Sequence, residues 1–119
     1  MGEKEKGLES LLIWKKTVDY AVDVCQNLIP LFPDEEKWAL ASQLRRSVQS
    51  IPANIAEGYG RFNFQETIHF CYIARGSMAE VETHLVLAHR LGYINDSTYI
   101  KYLSVLSELG KMINGYVTH

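Results

Sequence analysis

An all-α protein, folded as an antiparallel up-down-up-down four-helix bundle, is predicted for this 119-residue chain by three observations. Apolar residues recur at steps of three and four in four separate stretches. Each stretch is bracketed by residues that cap or end helices, and no run alternates as a strand does. Short connections make successive helices antiparallel neighbours. A chain of this length holds one core. The domain is placed at residues 9–117, behind a tail over 1–8 that is expected to be disordered because MGEKEKG mixes charges of both signs and lacks an apolar run.

The first helix spans Ser10 to about Leu31, with a seam through Trp14, Val18, Ala21, Cys25, Leu28 and Phe32. Pro30 and Pro33 close it. Asp34 is the expected cap of the second helix, with Glu35 and Glu36 favourably placed in its first turn. That helix is predicted from Glu35 to Glu57. Pro52 removes one backbone donor and pushes on the carbonyl of Val48, which predicts a bend there and not a stop. Gly58 and Gly60 end it.

Asn63 and Glu66 have the spacing of a reciprocal cap, and a third helix follows to about Leu91, stopped by Gly92. Its core stripe is Cys71, Met78, Val81, Leu85 and Ala88. Phe70, Ile73, Leu87 and Leu91 spread wider, so this helix is expected to be covered on more than one side. Asp96 is the expected cap of the fourth helix, whose seam runs through Tyr99, Leu103, Leu106, Leu109, Ile113 and Tyr116.

The second helix carries an unusual outer face. Leu40, Leu44, Val48, Ile51 and Ile55 share one stripe, while Gln43, Ser47, Ser50 and Asn54 stack in a second, about a quarter-turn round the helix. Ser47 to Ala56 holds no charge. A solvated face normally carries Lys and Glu, so a small neutral one predicts close approach by another helix, of the same subunit or a neighbouring one.

Apolar residues make up 47%, as in globular domains, and 12 basic against 14 acidic residues give a net charge of −2. That balance argues against coating nucleic acid by bulk attraction and leaves room for a local basic site. Cys25 and Cys71 lack metal or redox spacing and read as free thiols. No window approaches the roughly 20 apolar residues that span a bilayer, and the start lacks a leader pattern. The expected location is the cytoplasm.

Catalytic signatures are weak. Glu66 and His69 form one Glu-x-x-His step, but a di-iron bundle needs a second such step and two further inward carboxylates. Glu66, His69, Glu80 and His84 read better as a hydrogen-bonding face, and no metal or cofactor is predicted. Gly58-Tyr59-Gly60-Arg61 lacks the lysine and preceding strand of a phosphate loop and reads as a helix-ending turn. No serine sits in a nucleophile elbow, so no catalytic residue is assigned.

The five arginines, Arg45, Arg46, Arg61, Arg75 and Arg90, occupy a region with no lysine between Lys37 and Lys101. Arginine is preferred where a planar fork must pair with carboxylate or phosphate. Two readings follow. The arginines bond Glu57, Glu66, Glu80 and Glu82 and fix helix or subunit register, the reading the near balance of Arg and Glu favours. Alternatively, Arg45, Arg46 and Arg61 meet an RNA backbone beside Tyr59 and Phe62 as stacking surfaces.

Gln43-Leu44-Arg45-Arg46, Ser50-Ile51-Pro52-Ala53-Asn54-Ile55-Ala56-Glu57-Gly58, Gly60-Arg61 and Ala74-Arg75-Gly76-Ser77 with Glu80 and Glu82 closely resemble the four-helix-bundle family encoded by intervening sequences of bacterial 23S rRNA genes. Trp14-Lys15 and Leu91-Gly92-Tyr93 extend the likeness over nearly all of the chain. That family is similar to the accessory variability determinant protein of diversity-generating retroelements, a kinship that implies a ring-shaped homopentamer. The resulting expectation is a non-enzymatic scaffold for RNA or a ribonucleoprotein. Its nucleic-acid residues are Arg45, Arg46, Arg61 and Tyr59, and its subunit interface is Ser47, Ser50, Asn54, Glu57, Arg75 and Glu80. The alternative is a protein-interaction adaptor without nucleic acid, docking partners on Tyr59, Tyr93 or Tyr102.

Overall fold

Helix α1, Leu12–Asp23, starts the bundle in this computed structural model, which describes residues 7–118. The expected tail lies outside the described residues over 1–6, and Leu8–Ser10 already forms a 3-10 turn. Past Asp23 the helix widens into a π-turn, Val24–Leu28, and then tightens into a 3-10 turn, Ile29–Leu31. Pro30 has no N–H to offer the carbonyl of Gln26, so the regular ladder cannot continue through it.

Helix α2, Leu40–Tyr59, begins five residues later than the sequence predicts. Asp34–Glu36 is a separate 3-10 turn in which Asp34 makes no side-chain cap, and Ala39, at φ −119° and ψ −105°, breaks the path. The cap comes instead from Glu36, whose Oε1 accepts the Leu40 amide at 3.1 Å. α2 then continues as α-helix through Pro52, which does not stop it.

Helix α3, Phe64–Arg90, is capped as predicted: Asn63 Oδ1 accepts the Glu66 amide at 2.8 Å. Its end is a Schellman turn in which Tyr93 N–H donates to Ala88 and Gly92 N–H to His89. Gly92 sits at φ +81°, a region costly for any residue with a Cβ. Helix α4, Asp96–Val117, is capped by Asn95, one residue before the expected Asp96; Asn95 Oδ1 accepts the Thr98 amide at 2.8 Å. Asp96 turns back to His89 Nε2 at 2.7 Å, while the His89 ring stacks on Tyr99.

Each helix packs against the next and α4 returns to α1, closing a four-helix bundle about 46 Å long; no strand occurs among the described residues. The core fills from all four helices and the π-turn with Ile13, Val24, Leu28, Leu44, Val48, Ile55, Val81, Leu85 and Ile113, each buried. α1 and α4 are joined by polar groups as well. Tyr20 donates to the Tyr102 carbonyl at 2.8 Å, and Tyr102 donates to Asp23 Oδ1 at 2.7 Å.

Two expectations about apolar stripes are corrected. On α1 the core stripe is Ile13, Thr17, Tyr20, Ala21, Val24 and Leu28, whereas Trp14, Val18 and Cys25 are only half-buried. α3 is covered by both α2 and α4, as expected, but Ile73, Leu87 and, just past its end, Leu91 are exposed, so neither neighbour covers it where these residues stand.

Candidate interaction surfaces

The small face of α2 is spent on α3 of the same chain. Ser47 is buried, with its hydroxyl donating to the Leu44 carbonyl, and Ser50 meets Ser77 at 2.8 Å. Asn54 donates back to the Ser50 carbonyl and hydroxyl. At the far end Thr67 donates to the Gly58 carbonyl at 2.9 Å, and a Cβ on Gly58 would lie 2.9 Å from Phe70 Cβ. Small residues thus let two backbones approach closely, which accounts for that face without a neighbouring copy.

The expected interface residues are therefore divided. Ser47, Ser50 and Asn54 belong to the α2–α3 seam. Glu57 is exposed and ion-paired with Arg61. Arg75 and Glu80 point about 140° apart around α3: Arg75 faces a cleft shared with α4, its guanidinium over Tyr72, while Glu80 lies 3.8 Å from His84.

The expected nucleic-acid residues are divided too. Arg45 and Tyr59 stand fourteen residues apart on one continuous helix, about 21 Å at 1.5 Å per residue. Arg61 binds Glu57 and lies over the Phe70 ring, leaving less of its charge for a phosphate. Arg45 instead lines a shallow cleft with Pro30, Pro33, Asp34 and Lys37. Beside it stands Trp38, 84% exposed under the Lys37 ammonium. The helical pattern concealed Trp38, because it was read as part of the second helix; its place in a turn is what exposes it.

Arginine–glutamate pairing is sparser than expected. Among the described residues Arg61–Glu57 is the arginine ion pair, and Arg45, Arg46 and Arg90 have none. Two of the tyrosines named as docking points are also committed: Tyr102 is buried, and Tyr93 donates to Glu36 Oε2 at 2.6 Å. That bond raises the Tyr93 hydroxyl to about 12 and holds the Glu36 carboxyl below its ordinary range.

The Glu66, His69, Glu80 and His84 face does not converge. Glu66 serves the α3 cap, His69 lies edge-on to Phe70, and no group of His, Cys, Asp and Glu among the described residues has the arrangement of a metal site. His84 is only 6% exposed, and neither ring nitrogen has a hydrogen-bond partner.

A surface that the sequence reading missed lies between α1 and α2. Trp14, Val18, Val22, Cys25, Pro52 and Ala53 line an open, apolar groove of about 490 Å³, whose polar lining is Gln26 and Gln49. Its signal was present in the α1 pattern, where residues assigned to the core seam instead form its wall. Across the bundle Ile73, Leu87 and Leu91 leave a second apolar strip on α3. No described helix is long and apolar enough to cross a membrane.

A small-residue α2–α3 seam inside a closed four-helix bundle, with apolar faces left open on its outside, defines an all-α helical-bundle protein. The family model of the 23S rRNA-intervening sequence protein matches residues 9–115, and the chain belongs to that family. A solved crystal structure from Bacteroides thetaiotaomicron VPI-5482, described as a protein with unknown function from the S23 ribosomal protein family, is similar at a TM-score of 0.82. The two share 27% identity over 91% of this chain and 96% of that one. No curated protein matches the sequence.

Proposed function

We propose that this protein is a non-enzymatic, self-assembling scaffold of the cytoplasm, a homopentamer whose copies present Arg45 to RNA or a ribonucleoprotein. The observation that carries the reading is the apolar surface left open on two sides of the bundle, at Trp14, Val18 and Val22 and at Ile73, Leu87 and Leu91. Extended exposed apolar surface marks interaction sites. Fivefold order is supported by the resemblance to the accessory variability determinant protein. A role for Arg45 is supported by its exposure, its lack of an ion pair and its place in a cleft with Lys37, whose ammonium lies over Trp38. Repetition of this site around a ring multiplies a weak contact into a firm one.

Light scattering after gel filtration, with ultraviolet absorbance read at the protein and nucleic-acid maxima, tests both halves. Assembly with RNA gives a multiple of the 13.6 kDa chain mass and a complex that weakens steeply with salt. A monomer at micromolar concentration defeats the scaffold. An assembly indifferent to every RNA offered defeats the RNA half.

A protein-interaction adaptor is the second reading, favoured by the fully exposed Phe62 at one end of the bundle and by Asp34 and Glu35 beside Trp38, whose charges repel phosphate. It expects Trp38→Ala or Phe62→Ala to abolish capture of a protein partner while Arg45→Ala leaves it intact.

A further inference from the structure

We infer that the α1–α2 groove of one copy receives the outer strip of α3 from a second copy, with Arg46 and Glu80 setting the register. This contact rests on the self-assembly reading and specifies its two faces. Each is incomplete within one chain: the groove has apolar walls at Trp14, Val18, Val22 and Pro52, and Ile73, Leu87 and Leu91 are 39%, 44% and 56% exposed. Neither α2 nor α3 carries a lysine, the residue that most readily keeps a helix face solvated. Gly76 lies on the exposed side of α3, and a Cβ there would meet nothing within 4 Å, so a neighbouring helix can approach closely.

Charge and spacing select a second copy as the occupant. Arg46 is exposed and, among the described residues, has no ion pair; the Glu80 side chain is 58% exposed, its carboxylate 3.8 Å from the His84 ring. From Arg46 to Ala53, at the groove, is seven residues; from Glu80 to Leu87, or back to Ile73, is also seven. At about 1.5 Å per residue each step is roughly 10 Å. Pairing Glu80 of one copy with Arg46 of the next therefore carries Leu87 or Ile73 to the groove, whichever way the docked helix runs. The groove lining holds no carboxylate to repel Glu80. Because the two faces differ, the contact passes head to tail from copy to copy, the geometry from which rings are built.

Four single variants test this contact: Arg46→Glu, Glu80→Arg, Val22→Asp and Leu87→Asp, all at exposed positions, with circular dichroism confirming a folded helical protein. Mass is read by light scattering across a dilution series. The aspartate variants are expected to weaken assembly about a hundredfold and the charge reversals about tenfold. Mixing Arg46→Glu with Glu80→Arg is expected to raise the mass above that of either alone, since opposite charges then meet across the contact. A pair within one chain cannot be repaired by mixing, so charge variants that disassemble and stay apart when mixed overturn the inference. An oligomer unaffected by all four variants overturns this contact and leaves self-assembly standing. A wild-type monomer overturns both.

Discussion

Tyr93 donates to Glu36 across 2.6 Å, so the turn that starts α2 is tied to the turn that follows α3. The same carboxylate caps α2 through the Leu40 amide. Tyr93→Phe and Glu36→Ala are each expected to lower the thermal midpoint, and the double variant to lose less than the sum, because both singles remove one shared bond. Melting curves of the four proteins supply the cycle. Strict additivity would show that the link contributes nothing.

Acid is expected to loosen the bundle. The Tyr93 and Leu40 donors hold the Glu36 carboxyl below its ordinary 4.5. At Asp23 burial works upward but is outweighed by the Asn27 and Tyr102 hydrogen bonds and by Lys101, so that carboxyl also falls below its ordinary 3.8. Groups depressed by folding give stability that is present above their unfolded values and is lost as the pH falls through the folded ones. The midpoint should hold from neutrality to about pH 5 and decline below it. Glu36→Gln should shallow the decline; an unchanged acid limb would remove Glu36 from it.

Gly58→Ala should cost roughly 1–3 kcal/mol in urea denaturation, since the new methyl group would press on Phe70 Cβ at 2.9 Å and on the Thr67 carbonyl at 3.1 Å. Gly76→Ala, in open space in the middle of α3, should raise the stability of the single bundle by about 0.5–1 kcal/mol. Equal effects at the two positions would contradict the close α2–α3 approach.

His84→Met should stabilise the bundle by roughly 1 kcal/mol, because both imidazole nitrogens are buried without partners and an apolar chain of similar reach removes their desolvation cost. A loss in chemical denaturation would mean that the ring has a partner in solution.

The stripes of α2 and of the α3 core were legible because one phase of the helical period was apolar and the opposite phase was not. Leu40, Leu44, Val48, Ile51 and Ile55 are all buried, as the spacing predicts. On the first helix two adjacent phases are both apolar enough to face inward, and the predicted seam straddles them: Ala21, Leu28 and Phe32 are buried, whereas Trp14, Val18 and Cys25 are half-buried. Thr17 and Tyr20 look polar in sequence, yet they occupy the core, since the Thr17 hydroxyl donates to the Trp14 carbonyl and Tyr20 to that of Tyr102. Those partners become visible only once the chain is folded. The arginine positions could be read from sequence, but their grouping could not: linear closeness put Arg61 with Arg45, and helix geometry separated them.

The order and number of the helices, and both ends of α3, follow from local chemistry that each segment carries within itself: apolar periodicity, an Asn63 cap, a glycine at Gly92 that tolerates a positive φ. Tertiary packing decided which face of α1 turns inward, that α3 answers the small face of α2, and which apolar residues are left over at the surface. Those outcomes depend on what meets each helix across the bundle, and a helix's own period is nearly blind to the identity of its neighbour.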